Sequence, residues 1–151
     1  MAQSLCKIYL HIIFHIKTVS PLVLDEHLGR LHQYIGHLAN TTGCQVLITG
    51  GTNDHVHTLV MLSSTENVSH LVEEMKRNSS RWLRSLSSHY GEFAWQSGYA
   101  AFSVSQSVVE RTMDYIKNQE EHHRKYSFRE EYLDFLAKYN IAYDERYVLS
   151  D

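Results

Sequence analysis

Proline is almost missing from these 151 residues; only Pro21 is present. Glycine is sparse at seven, and there are two cysteines, Cys6 and Cys44, with no CxxC spacing. These shortages exclude a collagenous or linker-rich chain, a disulfide framework and a cysteine-based zinc site. The two cysteines read as reduced thiols of a cytoplasmic protein. No run approaches the roughly 18 apolar residues that would span a bilayer, so no membrane partner is expected. The N-terminus, MAQSLCKIYLHIIFHIK, has neither a basic head nor a small-residue cleavage site and does not read as a signal peptide. A large excess of one charge is also lacking, since the formal net charge is −3. That deficit sits in residues 128–151, which hold six acids and three bases. The preceding 127 residues are balanced.

What is present is 43% hydrophobic residues, enough for one domain with a real core. The β-branched and aromatic run Ile8–Lys17 predicts a buried strand. Asp25 is placed to cap a helix ending near Thr42, with Gly43 as its stop. Gln45–Thr49 and His55–Leu62 read as a hairpin around a turn at Gly50 to Asn53, and Val68–Leu86 as a second helix. A fourth strand is expected near Trp95–Val104. A third long helix is expected over about Val108–Lys125, opened by a Ser107/Glu110 capping box. The Ser127/Glu130 pair repeats that signal for a shorter helix to about Tyr139. The order predicts an α+β, ferredoxin-like β-α-β-β-α-β antiparallel sheet with added C-terminal helices. The charge distribution also divides the chain into a main unit over 1–127 and an acidic helical extension over 128–151.

His55-Val56-His57 opens the third strand. Side chains alternate along a strand, so both imidazoles face one side, about 7 Å apart, and can converge on one ion. Two solvent-facing polar residues would give the same pattern. Tyr115 and Gln119 lie four apart on the third long helix and share its face, with His122 continuing that face. A tyrosine beside a metal is a plausible covalent nucleophile, and a glutamine carbonyl a plausible hard-metal ligand. His122 can ligate or shuttle a proton. An ordinary amphipathic helix with Tyr115 half buried explains the same residues. On the second helix, Lys76, Arg77, Ser79, Ser80, Arg81 and Arg84 suit phosphate contacts, while Trp82 fits the apolar stripe better than a base-stacking role.

Asp54-His55-Val56-His57, the Lys76–Trp82 segment, Trp95-Gln96-Ser97-Gly98-Tyr99 with Phe102-Ser103-Val104, and Tyr115-Ile116-Lys117-Asn118-Gln119 together resemble one family. It is that of the IS200/IS605-like single-tyrosine transposases, including the repeat-associated tyrosine transposases. The first strand and the closing segments Lys138–Ile141 and Tyr143–Tyr147 add to the likeness. His15 departs from it, standing where the family often has a smaller or basic residue.

The resemblance implies a homodimer that binds imperfect hairpins of single-stranded DNA. It implies Tyr115 as the nucleophile that forms a 5′-phosphotyrosine link and frees a 3′-hydroxyl. It further implies Mg²⁺ or Mn²⁺ held by His55, His57 and Gln119, and a tyrosine helix that can serve the other subunit's metal site. Two alternatives stay open: a non-catalytic nucleic-acid-binding module, and a hydrolase using the HxH pair with a carboxylate or His122 as third ligand.

Overall fold

In the computed structural model, which describes residues 2–150, strand β1 (Tyr9–His15) is buried along its whole length. A strand buried on both faces needs two covering layers, and the two differ in character. Leu10, Ile12 and Phe14 join one core with helix α1 (Asp25–Thr41) and helix α2 (Val68–Leu86). The alternate residues face the other way. There Tyr9 packs with helix α3 (Val109–Lys117), and Ile13 packs with helix α5 (Phe128–Lys138). A short helix α4 (Gln119–His122) lies between these two. Among the described residues no helix is long and apolar enough to cross a membrane.

Strands β2 (Gln45–Thr52), β3 (His55–Met61) and β4 (Ala100–Val104) complete a four-stranded sheet in the order β2-β3-β1-β4. All three pairings are antiparallel. This is the expected α+β ferredoxin-like plan, with three helices added on the sheet's second face. The register sets His15 opposite His55 and Ile13 opposite His57, so His11 lies diagonal to His57 on the same face.

Several local expectations are corrected. β2 runs through Gly50 and Gly51 to Thr52, and the turn is Asn53-Asp54. Gly51 has φ +147°, and a Cβ there would collide with the His55 carbonyl oxygen, so glycine carries the ladder into the turn. Asp25 does not cap α1. It occupies the first helical position, and its carboxylate accepts from Asn53 Nδ2 at 2.7 Å, tying the helix start to the hairpin turn. Trp95 is not in β4; it makes an isolated bridge to Ile16.

The long third helix is interrupted. A 3₁₀ turn at Gln106–Val108 precedes α3, and Ser107 forms no cap bond to it. Asn118 (ψ +23°) then separates α3 from α4. The Ser127/Glu130 capping box is present in both directions and starts α5 firmly, a feature worth about 1 kcal/mol. Trp82 packs at the edge of the main core, its ring centroid 5.2 Å from Tyr34. Met1 and Asp151, the last acid of the tail, lie outside the described residues.

Candidate active site

The hairpin turn and the first residues of β3 fix the two histidines. Both are at most 1% exposed and face the α3–α5 layer, as strand alternation requires. Each Nδ1 has a partner behind it. Asp54 Oδ1 lies 2.7 Å from His55 Nδ1, and His11 Nε2 lies 2.7 Å from His57 Nδ1. Partners of this kind fix ring orientation and tautomer in metal-bound imidazoles. Both Nε2 atoms are thereby aimed at one spot.

The chain reaches that spot from two further elements. Gln119, 1% exposed at the start of α4, brings Oε1 to 2.7 Å from His55 Nε2. Tyr115, one turn earlier, points its hydroxyl inward and donates to Glu131 Oε2. The interruption at Asn118 does not separate the pair. The Asn118 and His122 amides keep bonds of 3.0 Å to Asp114 and Asn118 carbonyls across it. Tyr115 and Gln119 therefore still share a face, within the same chain as the histidines they meet.

Glu131 of α5 closes the site and was not expected from the sequence. It is 3% exposed, although carboxylates are seldom buried unless paired. Its Oε1 lies 2.8 Å from His57 Nε2, and its Oε2 accepts from Gln119 Nε2 at 2.9 Å as well as from Tyr115. His122 and His123 approach the same carboxylate at 3.3 Å and 3.2 Å.

Burial alone would raise the Glu131 carboxyl, but the His57 hydrogen bond and charge, with bonds from Tyr115 and Gln119, hold it below the usual carboxylate range. Burial brings His57 down to about 4, so it is neutral at pH 7, the form that binds metal. Burial, then the bond to Glu131 and its charge, push the Tyr115 hydroxyl up. The phenol is thus protonated at neutral pH.

The donor set suits a cation. His55, His57, His123 and Glu131 each offer a ligand atom, all within 4.8 Å of one another. His123 Nε2 is buried and, although 3.2 Å from Glu131 Oε1, makes no hydrogen bond with it. A further observation comes from His55. If its Nδ1–H donates to Asp54, its Nε2 lone pair faces the Gln119 carbonyl oxygen, whose own amide nitrogen is committed to Glu131. Two acceptors at 2.7 Å are stable only with a second proton or a cation between them. Mixed imidazole and oxygen donors can hold a divalent cation.

The basic segment lies elsewhere. Lys76, Arg77, Ser79, Ser80, Arg81 and Arg84 ride on α2, which covers the sheet face opposite the histidines. Ser79 is fully buried and accepts from Trp95 Nε1 at 3.0 Å, so its hydroxyl serves the core. Lys76 donates to the Gln96 and Gly98 carbonyls, and burial lowers it to about 8. Arg84 donates to the Phe93 carbonyl at 3.0 Å, and Arg77 pairs with Glu73 and Glu74. The Ser80 hydroxyl bonds back to the Arg77 carbonyl at 3.0 Å. Arg81 is exposed, with no ion pair among the described residues.

A family profile described as "Transposase IS200 like" matches residues 4–119. The chain belongs to this family of transposases, enzymes that act on DNA. Among solved structures, it is similar to a Deinococcus radiodurans R1 protein assigned as a transposase, with 23% identity and a TM-score of 0.60 over 79% of this chain and 98% of that one. It is also similar to a REP-associated tyrosine transposase bound to a REP hairpin, with 13% identity and a TM-score of 0.59 over 82% of this chain and 73% of that one. No curated protein matches the chain. The family match ends at Gln119, so His122, His123 and Glu131 lie beyond it.

Proposed function

We propose that this transposase cleaves and rejoins single-stranded DNA through a 5′-phosphotyrosine intermediate on Tyr115, assisted by Mg²⁺ or Mn²⁺. The observation that carries this reading is the convergence of Tyr115, Gln119, His55 and His57 on one buried carboxylate, Glu131. His55, His57 and Gln119 would hold the ion, with Glu131 and His123 as additional donors. A divalent cation at this position supplies Lewis-acid polarisation of a phosphoryl oxygen.

The chain's own groups do the rest. Asp54 and His11 hold the imidazoles in register, and Gln119 is oriented by its amide bond to Glu131. Tyr115 is fixed by its own bond to that carboxylate, which gives the phenolic proton a path away from oxygen. In the forward step the Tyr115 oxygen bonds to phosphorus and the P–O3′ bond breaks. The 3′-oxygen leaves and takes up a proton. The phosphotyrosine retains an activated phosphate, so a 3′-hydroxyl can reverse the step without a nucleotide cofactor.

The substrate is a single strand carrying a hairpin, in keeping with the REP hairpin bound by one structural neighbour. The active form is a cytoplasmic homodimer. The exposed Arg77, Arg81 and Arg84 provide a phosphate-contacting surface away from the site, while Lys76, Ser79 and Ser80 hold that helix in place. The test is Tyr115→Phe with a hairpin oligonucleotide from the gene's flanks: cleavage is lost and hairpin binding is kept. Normal cleavage by this variant overturns the assignment. One observation favours a second reading. Glu131 is the strong third ligand that a metal-dependent hydrolase built on HxH would need. Such an enzyme would retain activity in Tyr115→Phe.

A further inference from the structure

Beside the metal-binding cluster, a cavity of about 290 Å³ opens between β4, α3 and α5, and the Tyr115 ring forms part of its wall. That volume is at the lower end for sites that hold small organic ligands, about 300 Å³. Its surfaces are of three kinds. Phe135 and Tyr139 form an aromatic side, held rigid because both rings stack on Phe102, at centroid distances of 5.3 and 4.5 Å. Val104 and Val108 add an apolar side. Arg111 and Lys138 stand on the rim; both are exposed, and neither enters an ion pair among the described residues. Lys138 Nζ lies over the Phe135 ring, 5.9 Å from its centroid.

We propose that this cavity is a nucleotide subsite that takes the base next to the scissile phosphate, with Arg111 and Lys138 on the adjoining backbone phosphate. The inference rests on the strand-transfer reading above. Every base has a π-face that can stack on an aromatic side chain, and such stacking contributes about 1–3 kcal/mol per base. The two rim cations supply the sequence-independent attraction that a phosphate needs. Asp134 and Thr112 also line the cavity and can bond to base edges. An unpaired base is available for this and a paired one is not, so the subsite makes single-stranded DNA the preferred substrate at the reaction centre.

The test uses the full-length protein and oligonucleotides from the gene's flanks. Wild type first maps the scissile phosphate through its covalent adduct. 2-Aminopurine is then placed on either side of that phosphate, and fluorescence is read on binding to Tyr115→Phe. At one of the two positions the fluorescence falls severalfold. Adding Phe135→Leu, which keeps an apolar side chain against Phe102, removes most of that quenching. Adding Arg111→Ala weakens binding of the same oligonucleotide about 3- to 10-fold at low salt and less at high salt. A wild-type adduct with no quenching at either position, or quenching indifferent to Phe135→Leu, overturns the subsite and leaves the strand-transfer reading intact. If no adduct forms on Tyr115, that reading falls and the subsite with it.

Discussion

Gly50→Ala tests whether the sheet and the tyrosine helix are one mechanical unit. Gly50 pairs with His57 across the β2–β3 ladder, and the C-terminal end of α3 lies directly on it. A Cβ at this position would stand 2.7 Å from the Ile116 carbonyl oxygen and 3.0 Å from Ile116 Cγ2. Comfortable contacts of this kind are about 3.5–4.0 Å, so β2 and α3 must separate by roughly 1 Å. Overpacking of this size costs about 1–3 kcal/mol, which lowers Tm by roughly 2–12 °C in a domain of this length. Tyr115 precedes Ile116 and moves with it. A misplacement of about 1 Å at a reacting group can cost ~100-fold in rate.

The assays are a thermal melt and the initial rate of Tyr115–DNA adduct formation, measured well below the variant's Tm. Gly29→Ala is the control, because a Cβ there meets nothing within 4 Å and the position is helical. It should stabilise the protein by about 0.5–1 kcal/mol and leave the rate unchanged. A wild-type Tm and rate for Gly50→Ala would refute the close approach and the coupling drawn from it.

Asp54→Ala removes the group behind His55 Nδ1 and should weaken Mn²⁺ binding about 10- to 100-fold by calorimetry, with little change in Tm of the metal-free protein. Unchanged affinity would remove Asp54 from the site. His32 carries a buried, unpartnered Nε2, and burial lowers the imidazole to about 4. A native value below the unfolded one means that the unfolded chain takes up the proton first. Its contribution is therefore neutral above pH ~6.5 and becomes destabilising as the pH falls toward ~4, by about 2 kcal/mol at pH ~5. His32→Leu should flatten the fall in denaturation midpoint between pH ~7 and ~5, and an unaltered slope would contradict this.

The parts legible in the sequence are those set by local periodicity. Strand alternation placed His55 and His57 on one face, and helical spacing placed Tyr115 with Gln119 even though Asn118 interrupts the helix. The Ser127/Glu130 capping box announced α5. What stayed hidden depends on contacts distant in sequence. Glu131 looks like any exposed acid in an acidic tail, and only the packing of Tyr132 and Leu136 against Ile13 and Phe102 turns it inward.

His11 and His15 read as strand residues. Their partners, His57 for one and Phe128 and Tyr132 for the other, follow from register and from docking of α5. The basic run on α2 was visible as charge. Its position on the opposite sheet face, and the use of Lys76, Ser79 and Arg84 to hold the β4 approach, were not.

The proposed role of Tyr115 as nucleophile at a metal-assisted site leaves a covalent product that can be isolated. The most direct test of that role is to incubate the protein with a single-stranded hairpin oligonucleotide from the gene's flanks, with Mg²⁺ or with EDTA. Any covalent species is isolated under denaturing conditions and its peptide mapped by mass spectrometry. The expected product is a metal-dependent adduct in which the 5′-phosphate is joined to Tyr115. An adduct on another residue, or cleavage with no covalent species, would contradict that role.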